Sequence, residues 1–226
     1  MQIIIITIKI MKNSTRSFST KSFSSYSSSS SPSLRWSEEL IRYCEHPEVF
    51  STKEVYHFDN EFVIIFDKYP KAKKHFLVMP RKRIDSIENL KKGDLGMMQK
   101  LKEKGQWVID SMKEENPKLN FRMGFHAFPS MKQFHMHVIS QDFISSALKN
   151  KKHWNSFTTP FFKDYEKIEN ILKEKGEIKF DKIYYEALLK KPLNCHLCNK
   201  KDIKNIPTLK KHLGDHWNDD SSEKSE

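Results

Sequence analysis

The sequence predicts an α+β fold, in which an antiparallel sheet packs against helices and a small module follows near the C-terminus. The strand candidates are interrupted once, by a long stretch at 87–115 with an apolar stripe of helical period. The turn signal Asp59-Asn60 joins the first two candidates as a hairpin, and two Cys followed by two His mark the last module. The five strand candidates are 53–58, 61–66, 75–80, 121–128 and 133–140.

Capping residues and composition predict the other helices. Ser33 is a suitable cap for a short helix that runs through Cys44, with Trp36 on its apolar face, and Pro47 ends it. Cys44 is expected to be a buried residue of this helix. A lysine-rich stretch of mixed charge, 160–190, predicts helices that lead to the last module.

Composition limits the classes of function. The 226 residues include 40 Lys and Arg against 29 Asp and Glu, a net charge of +11 that favours a polyanionic partner such as nucleic acid, a nucleotide or an anionic membrane surface. A hydrophobic content of 37% excludes a multispanning membrane protein. The 16 Phe, 7 Tyr and 4 Trp exclude a wholly disordered chain, and 3 Cys are too few for a disulfide scaffold.

The first 33 residues differ from the rest of the chain. Their apolar stretch is about ten residues long, which is too short to span a bilayer. A Ser-rich run without acidic residues follows, and the first acidic residue is Glu38. We interpret 1–33 as a disordered tail, with an organelle transit peptide as the alternative. A secretory signal is disfavoured because no convincing cleavage site follows the apolar stretch.

The paired Cys and His have the spacing of a two-Cys two-His zinc finger. Cys195-x-x-Cys198 forms a knuckle that offers two thiolates, and His212-x-x-x-His216 places two imidazoles on one face of a helix. Four such ligands close a tetrahedral Zn²⁺ site with no open position, so one structural zinc ion is predicted. The surrounding lysines favour contact with phosphates, as in a docking module. Few β-forming residues precede the helix, so its hairpin is expected to be rudimentary.

Four other histidines are predicted to lie on or beside the sheet. His135 and His137 alternate along one strand, so their side chains share a face, and Gln133 is expected on that face too. His126 lies on the preceding strand, and His75 ends a basic loop. Same-face histidines can bind a metal, carry a nucleophilic imidazole, or be structural.

Metal binding and nucleophilic catalysis require different neighbours. A catalytic metal needs a third ligand, and the nearest acidic residue is Asp142, at the ambiguous end of the strand. The surroundings are instead rich in Lys and Ser, which suit phosphate. A neutral imidazole can attack phosphorus and form a phosphohistidine-type intermediate, while basic neighbours neutralise the developing charge. Phosphate chemistry is therefore favoured.

The segment from Gln133 to Ile139 resembles the motif His-φ-His-φ-His-φ-φ of the histidine-triad (HIT) superfamily of nucleotide hydrolases and transferases. Together with 67–72, 148–157 and the finger, it makes residues 34–217 resemble the aprataxin family of DNA 5′-adenylate hydrolases. The resemblance implies a HIT-like sheet and removal of AMP from 5′-adenylated DNA ends left by abortive ligation. The predicted organisation is a tail at 1–33, a HIT-like catalytic domain at 34–158, a helical connector at 159–190, a zinc finger at 191–217 and a disordered tail at 218–226.

The resemblance also implies roles for single residues. His135 would be the nucleophile that forms a covalent AMP–histidine intermediate, His137 would stabilise phosphate oxygens, and His126 would assist the leaving phosphate. Gln133 stands where the motif has its first His. Glutamine can hydrogen-bond but cannot titrate, so we expect the chemistry to survive and leave its rate and pH profile open. The predicted nucleotide- and phosphate-binding residues are Asp67, Lys71, His75, Ser130 and Gln133.

DNA contacts follow from the same resemblance. Lys151, Lys152 and His153 would grip the DNA backbone near the 5′ end, which positions DNA without specifying its sequence. Trp36 aligns with an end-probing helix, and a core anchor is an equally good interpretation. The expected partner is double-stranded DNA with nicks, ends or 5′-adenylates, bound by a monomer without a membrane. The 33-residue tail is too short for the FHA phosphopeptide-binding domain of vertebrate relatives. The expected location is the nucleus, and the basic, Ser-rich N-terminus is compatible with a mitochondrial pool.

Two alternative functions stay open on the sequence. A general HIT hydrolase of AMP–lysine or dinucleoside polyphosphates would not need the finger or the basic segment at 151–153. A non-catalytic adaptor that binds DNA ends would follow if Gln133 marks a decayed site. The finger and the basic segment favour the DNA 5′-adenylate hydrolase.

Overall fold

A computed structural model of the chain describes residues 36–218. The predicted N-terminal tail, with its alternative as a transit peptide, lies outside these residues, as do the capping residue Ser33 and the acidic tail after Asn218. None of the described helices is both long enough and apolar enough to cross a bilayer.

Six antiparallel strands form one sheet in the spatial order β1-β2-β3-β5-β4-β6. Both predicted hairpins are present, since β1 pairs with β2 and β4 pairs with β5, and β3 joins them in the centre. The predicted α+β class with an antiparallel sheet is therefore confirmed. The strands are β1 Val55–Phe58, β2 Phe62–Phe66, β3 His75–Pro80, β4 Phe121–His126, β5 Met136–Ser140 and β6 Phe162–Asp164.

Helices cover both faces of the sheet and continue into the finger. Cys44 lies buried on the first helix, as predicted. The α-helices are α1 Glu39–Glu45, α2 Leu95–Glu115, α3 Lys151–Thr158, α4 Tyr165–Lys175, α5 Lys182–Leu188 and α6 Ile206–Asn218. Short 3-10 helices are Trp36–Glu38, Pro47–Val49, Ile87–Asn89 and Lys92–Asp94.

The long helix α2 starts at Leu95, later than predicted, because side-chain caps break the preceding stretch into two short turns. The Asn89 side chain accepts a hydrogen bond from the Ser86 N–H at 3.0 Å. The Asp94 carboxylate accepts one from the Lys91 N–H at 2.9 Å. The two side chains already bond the backbone N–H groups of Ser86 and Lys91. A continuous α-helix through these positions would therefore add no hydrogen bonds for these groups.

Part of the stretch predicted as helical forms an edge of the sheet instead. Residues 160–190 contain β6 as well as α4 and α5, and β6 pairs with β4. Gly124 in β4 permits this pairing, because a Cβ at that position would collide with the Lys163 carbonyl oxygen and the Phe162 ring. The short β6 carries no alternating pattern long enough to be recognised in the sequence.

The two faces of β5 have different surroundings. Met136 and Val138 pack beneath α2, in a cluster that includes Leu101 of that helix. His137 lies between them and therefore points to the opposite face, where it is paired in register with Leu77 of β3. This second face of the sheet carries the candidate site.

The finger packs directly against α3 and the sheet. A single bridge, Leu193 with Ile203, forms the rudimentary hairpin that the sequence predicts. Leu193 and Leu209 of the finger belong to one hydrophobic cluster with Trp154 and Phe162. Trp154 is fully buried, so it is a core residue. The finger therefore shares its hydrophobic core with the sheet. The Cys and His spacing alone indicates only a separate docking module.

Candidate active site

Four histidines from three strands meet on the second face of the sheet. His75 begins β3, His126 ends β4, His137 lies in β5, and His135 immediately precedes β5. Nε2 of His75 lies 3.0 Å from Nδ1 of His137. The ring centroids of His126 and His135 lie 4.4 Å and 5.0 Å from that of His137. The structure thus brings together all four histidines that the sequence singles out.

One hydrogen bond sets the orientation of His135. Its Nδ1 lies 2.7 Å from the Gln133 carbonyl oxygen, which can only accept, so Nδ1 carries the proton. The lone pair of the neutral ring is therefore on Nε2. Burial lowers the pKa of His135 below its ordinary value of 6.5, which favours this neutral form. An unprotonated, oriented imidazole nitrogen is the feature that a histidine nucleophile requires.

Gln133 lies differently from the sequence prediction. Its φ of 78° is left-handed and ends the strand pattern, so Gln133 does not alternate with the two histidines. Its buried amide donates to the Pro80 and Lys82 carbonyls at 2.7 Å and 3.1 Å, and its oxygen accepts from the Ile84 N–H at 3.4 Å. Both amide N–H donors are thus engaged by backbone carbonyls. In this structure Gln133 orients the His135 ring through its backbone carbonyl, a contact that needs no imidazole side chain at position 133.

A chain of hydrogen bonds also fixes the protons of His75 and His137. The Lys71 N–H donates to Nδ1 of His75 at 3.2 Å, so Nε2 of His75 carries the proton that is donated to His137. Nε2 of His137 is then the protonated nitrogen. Within residues 36–218, Nε2 of His137 and Nε2 of His126 are buried without a hydrogen-bond partner. Buried polar atoms rarely stay unpaired, so they indicate where a polar ligand binds.

The metal alternative fits these hydrogen bonds poorly. Asp67, His75 and His137 offer ligand atoms within 4.8 Å of one another. However, both nitrogens of His75 are already engaged, one by the Lys71 N–H and one by His137. Asp142 does not face the cluster, because its carboxylate accepts from the Lys73 N–H at 2.9 Å and from other groups near the end of β5. The geometry favours an imidazole nucleophile over a metal centre.

An aromatic ring from α3 covers the cluster. The centroid of Phe157 lies 4.6 Å from that of His126, 5.2 Å from that of His137 and 5.3 Å from that of His75. This contact lowers the polarity around the rings and ties α3 to them. Helical spacing places Phe157 on the same face as Trp154, but no sequence pattern links that face to the histidines.

The other predicted nucleotide-binding residues lie around the cluster at different depths. Asp67 follows β2, and its Oδ2 lies 3.5 Å from Nδ1 of His75. Lys71 lies in the loop between β2 and β3, where its ammonium contacts the Tyr69 carbonyl, and burial lowers its pKa. Ser130 is exposed in the bend between β4 and β5, and no hydrogen bond joins it to the histidines among the described residues.

The predicted DNA-binding residues lie on the surface at two places. Lys151 and Lys152 are exposed at the start of α3, beside the half-buried His153, whose N–H donates to the Asn150 side chain at 2.9 Å. Trp36 is 66% exposed on the first helical turn. The interpretation of Trp36 as a core anchor is therefore wrong. Its exposed side chain can instead contact a partner.

The four predicted zinc ligands converge in the finger. Sγ of Cys195 lies 3.6 Å from Nε2 of His216, and Sγ of Cys198 lies 3.3 Å from Nε2 of His212. The two imidazole nitrogens are 3.2 Å apart. A tetrahedral Zn²⁺ with ordinary bond lengths separates S from N by about 3.6 Å and N from N by about 3.4 Å. The donor set and its spacing therefore fit a structural zinc site.

The buried histidines make stability depend on pH. Burial lowers the pKa of His75 to about 4 from an ordinary 6.5, and it lowers the pKa of His126, His135 and His137 in the same direction. As pH falls through 6.5 the unfolded chain takes up protons that the folded chain refuses, so the free energy of unfolding decreases until about pH 4. His75 alone accounts for about 3 kcal/mol of this change.

We expect urea unfolding to give a clearly lower free energy at about pH 5 than at about pH 7, with the loss reduced in a His75→Gln variant. His46→Ala is the matched control, because the His46 side chain is 67% exposed and lies far from the cluster in sequence. A stability independent of pH across this interval would contradict the burial of neutral histidines.

Comparison with known families agrees with this arrangement. Residues 42–153 match the family described as scavenger mRNA decapping enzyme C-term binding. Residues 158–219 match the C2HE / C2H2 / C2HC zinc-binding finger. The crystal structure of the aprataxin ortholog Hnt3 in complex with DNA superposes with a TM-score of 0.69 at 27% identity, over 82% of this chain and 96% of that one. This similarity confirms the predicted HIT-like fold of the aprataxin type.

Relatives from several organisms share most of the described chain. Aprataxin of Ciona intestinalis is 47% identical over 178 residues, which is 79% of this chain and 45% of that protein. Aprataxin of Gallus gallus is 44% identical over 80% of this chain and 55% of its own length, so this chain spans about half of these relatives. The aprataxin-like protein of Saccharomyces cerevisiae is 31% identical over 80% of this chain and 95% of that protein. This chain thus matches nearly the whole of one relative, and family models match both its sheet domain and its finger. The chain belongs to the aprataxin family.

Proposed function

We propose that this protein is a hydrolase that removes AMP from 5′-adenylated DNA ends, such as those left by abortive ligation. The observation that carries the proposal is the orientation of His135. Its Nδ1–H is held by the Gln133 carbonyl at 2.7 Å, so the Nε2 lone pair is free, and burial lowers its pKa so that the ring is neutral near pH 7. This nitrogen would attack the adenylate phosphorus.

The reaction would consist of two displacements at one phosphorus atom. In the first, Nε2 of His135 forms a P–N bond while the P–O bond to the DNA 5′-phosphate breaks, and its electron pair leaves with the DNA. In the second, water attacks phosphorus, the electron pair of the P–N bond returns to Nε2, and the proton lost by the water passes to the solvent. AMP is released, and the DNA end keeps a 5′-phosphate that a ligase can use.

The neighbouring groups would stabilise charge on the phosphate. Nε2 of His137 and Nε2 of His126 lack partners in the described structure and lie on rings beside the nucleophile. Lys71 donates its backbone N–H to His75, and from this loop its ammonium would reach the phosphate. Asp67 would accept hydrogen bonds from the ribose hydroxyls. Preorganised donors of this kind stabilise a transition state without reorganising during the reaction.

Adenylated DNA is the preferred substrate because the basic surface leads to the site. Lys151 and Lys152 are exposed at the first residues of α3, and Phe157 of the same helix contacts three of the histidines. A helix of this length spans only about 12 Å, so a DNA backbone held at its start lies near the nucleophile. The related Hnt3 structure contains DNA. We further propose that one structural Zn²⁺ holds the finger through Cys195, Cys198, His212 and His216.

We expect kcat/KM for AMP release to be at least about 100-fold higher on nicked duplex DNA with a labelled 5′-adenylate than on AMP–lysine, because only DNA gains from phosphate contacts. Raising salt from about 50 to about 200 mM should slow the DNA reaction at low substrate and leave the AMP–lysine reaction nearly unchanged.

Either of two outcomes would contradict the proposal. A preference for AMP–lysine would make the protein a general HIT hydrolase of small adenylates. Tight binding of DNA without release of AMP from either substrate would make it a non-catalytic adaptor.

A further inference from the structure

A short segment that begins at the last residue of β5 is held by the finger on one side. We call residues 140–145 the junction segment. Nε2–H of His196, in the zinc knuckle, donates to the Gln141 carbonyl at 2.9 Å. The ammonium of Lys210, on α6, donates to the Ser145 carbonyl at 2.7 Å. The His196 ring also packs edge-on against Phe143, with centroids 4.9 Å apart. These contacts join the finger to a segment that lies outside the zinc-finger motif.

The other side of the junction segment holds the loop that carries the predicted nucleotide-binding residues. The Asp142 carboxylate, only 2% exposed, accepts from the Lys73 N–H at 2.9 Å. Ser140, fully buried, accepts from the Lys74 N–H at 3.0 Å. The Ser145 hydroxyl donates to the Pro70 carbonyl. The loop at 67–74 is thus fastened by its backbone to the same segment that the finger holds.

We propose that the finger positions the nucleotide-binding loop, and that His196 is the positioning residue through which it acts. His196 lies between the ligands Cys195 and Cys198, so metal binding fixes its backbone. Its hydrogen bond to Gln141 then fixes the junction segment, which holds the loop carrying Asp67 and Lys71. The kinetic part of this inference rests on the proposed function, whereas the ordering of the loop does not.

Two features distinguish this contact from ordinary packing. His196 donates one directed hydrogen bond to a backbone carbonyl of the junction segment, and two buried side chains of the segment, Ser140 and Asp142, accept directed bonds from backbone N–H groups of the loop. Buried and directed bonds transmit a displacement, because misalignment leaves a polar group unsatisfied. Leu197, the next residue of the knuckle, is 44% exposed and serves as the matched control.

The test compares His196→Phe, which keeps an aromatic ring and loses the donor, with Leu197→Ala. Amide hydrogen exchange is measured on the zinc-loaded protein without substrate. We expect the Lys73 and Lys74 amides to exchange about tenfold faster in His196→Phe and at the wild-type rate in Leu197→Ala, as the loss of one hydrogen bond predicts. KM for AMP–lysine should rise about tenfold in His196→Phe, with kcat changed less, since the loop binds the nucleotide.

Lys210→Met provides a second variant that leaves the knuckle intact, and it should shift exchange at Lys73 and Lys74 in the same direction. If His196→Phe loses zinc, the exchange rates of Lys210→Met decide whether the finger positions the loop. Wild-type exchange at both amides in zinc-loaded His196→Phe, or in Lys210→Met when His196→Phe cannot hold zinc, would overturn the inference. Exchange needs no turnover, so an inactive wild-type protein would refute the proposed function and leave this test valid.

Discussion

Replacing His135 with alanine is expected to lower single-turnover release of AMP from adenylated DNA by at least about 1,000-fold. The reason is geometric. Nε2 of His135 is the nitrogen that the Gln133 carbonyl leaves with a free lone pair, and His126 and His137 of the same cluster also carry an unpaired Nε2 among the described residues. Without His135 no P–N bond can form at this position, and the covalent AMP–protein adduct should disappear from acid-quenched samples.

DNA binding should survive the same substitution to within about twofold, because DNA affinity comes mainly from surface cations that contact phosphates. Lys151 and Lys152 are exposed and lie outside the buried cluster. His46→Ala is the control, since it removes an exposed imidazole and should leave both AMP release and DNA binding unchanged. Equal AMP release by His135→Ala and the wild type would refute the assignment of the nucleophile, whatever the substrate.

The sequence predicts this site as far as local periodicity extends. The alternation of His135 and His137 depends only on the pleat of a strand, and the fourfold zinc ligand set depends only on a knuckle and one helical turn. The two histidines lie two positions apart on one strand, and the zinc ligands come from a short knuckle and a helical turn whose geometries vary little. The four zinc ligands converge as predicted, and so do the histidines of adjacent strands, because hairpin pairing brings β4 beside β5.

The features that the sequence does not predict depend on contacts that no local pattern encodes. Gln133 leaves the strand because its amide binds the carbonyls of Pro80 and Lys82, which are distant in sequence. The contact of Phe157 with three histidines depends on how α3 packs. The bond from His196 to Gln141 joins residues separated by 55 positions. Tertiary contacts of this kind override strand periodicity and cannot be read from spacing.

Removing the zinc site by Cys198→Ser is expected to lower the midpoint of thermal unfolding by about 10 °C and to release one equivalent of zinc. Cys198 is exposed, so the substitution removes a ligand without opening a cavity. The large effect is expected because Leu209 and Leu213 of the finger share one hydrophobic cluster with Trp154. Loss of the metal should therefore loosen α3 as well as the finger.

Because of this shared core, Cys198→Ser should reduce hydrolysis of AMP–lysine as well as engagement of DNA, whereas an autonomous docking finger would affect DNA alone. Cys44→Ala is the matched control. It removes a buried thiol on α1, outside the metal site, so it should lower stability yet keep one equivalent of zinc. If Cys198→Ser loses zinc but keeps the wild-type midpoint and AMP–lysine activity, then the finger is an independent module and its cluster with Trp154 contributes little to the stability of the sheet.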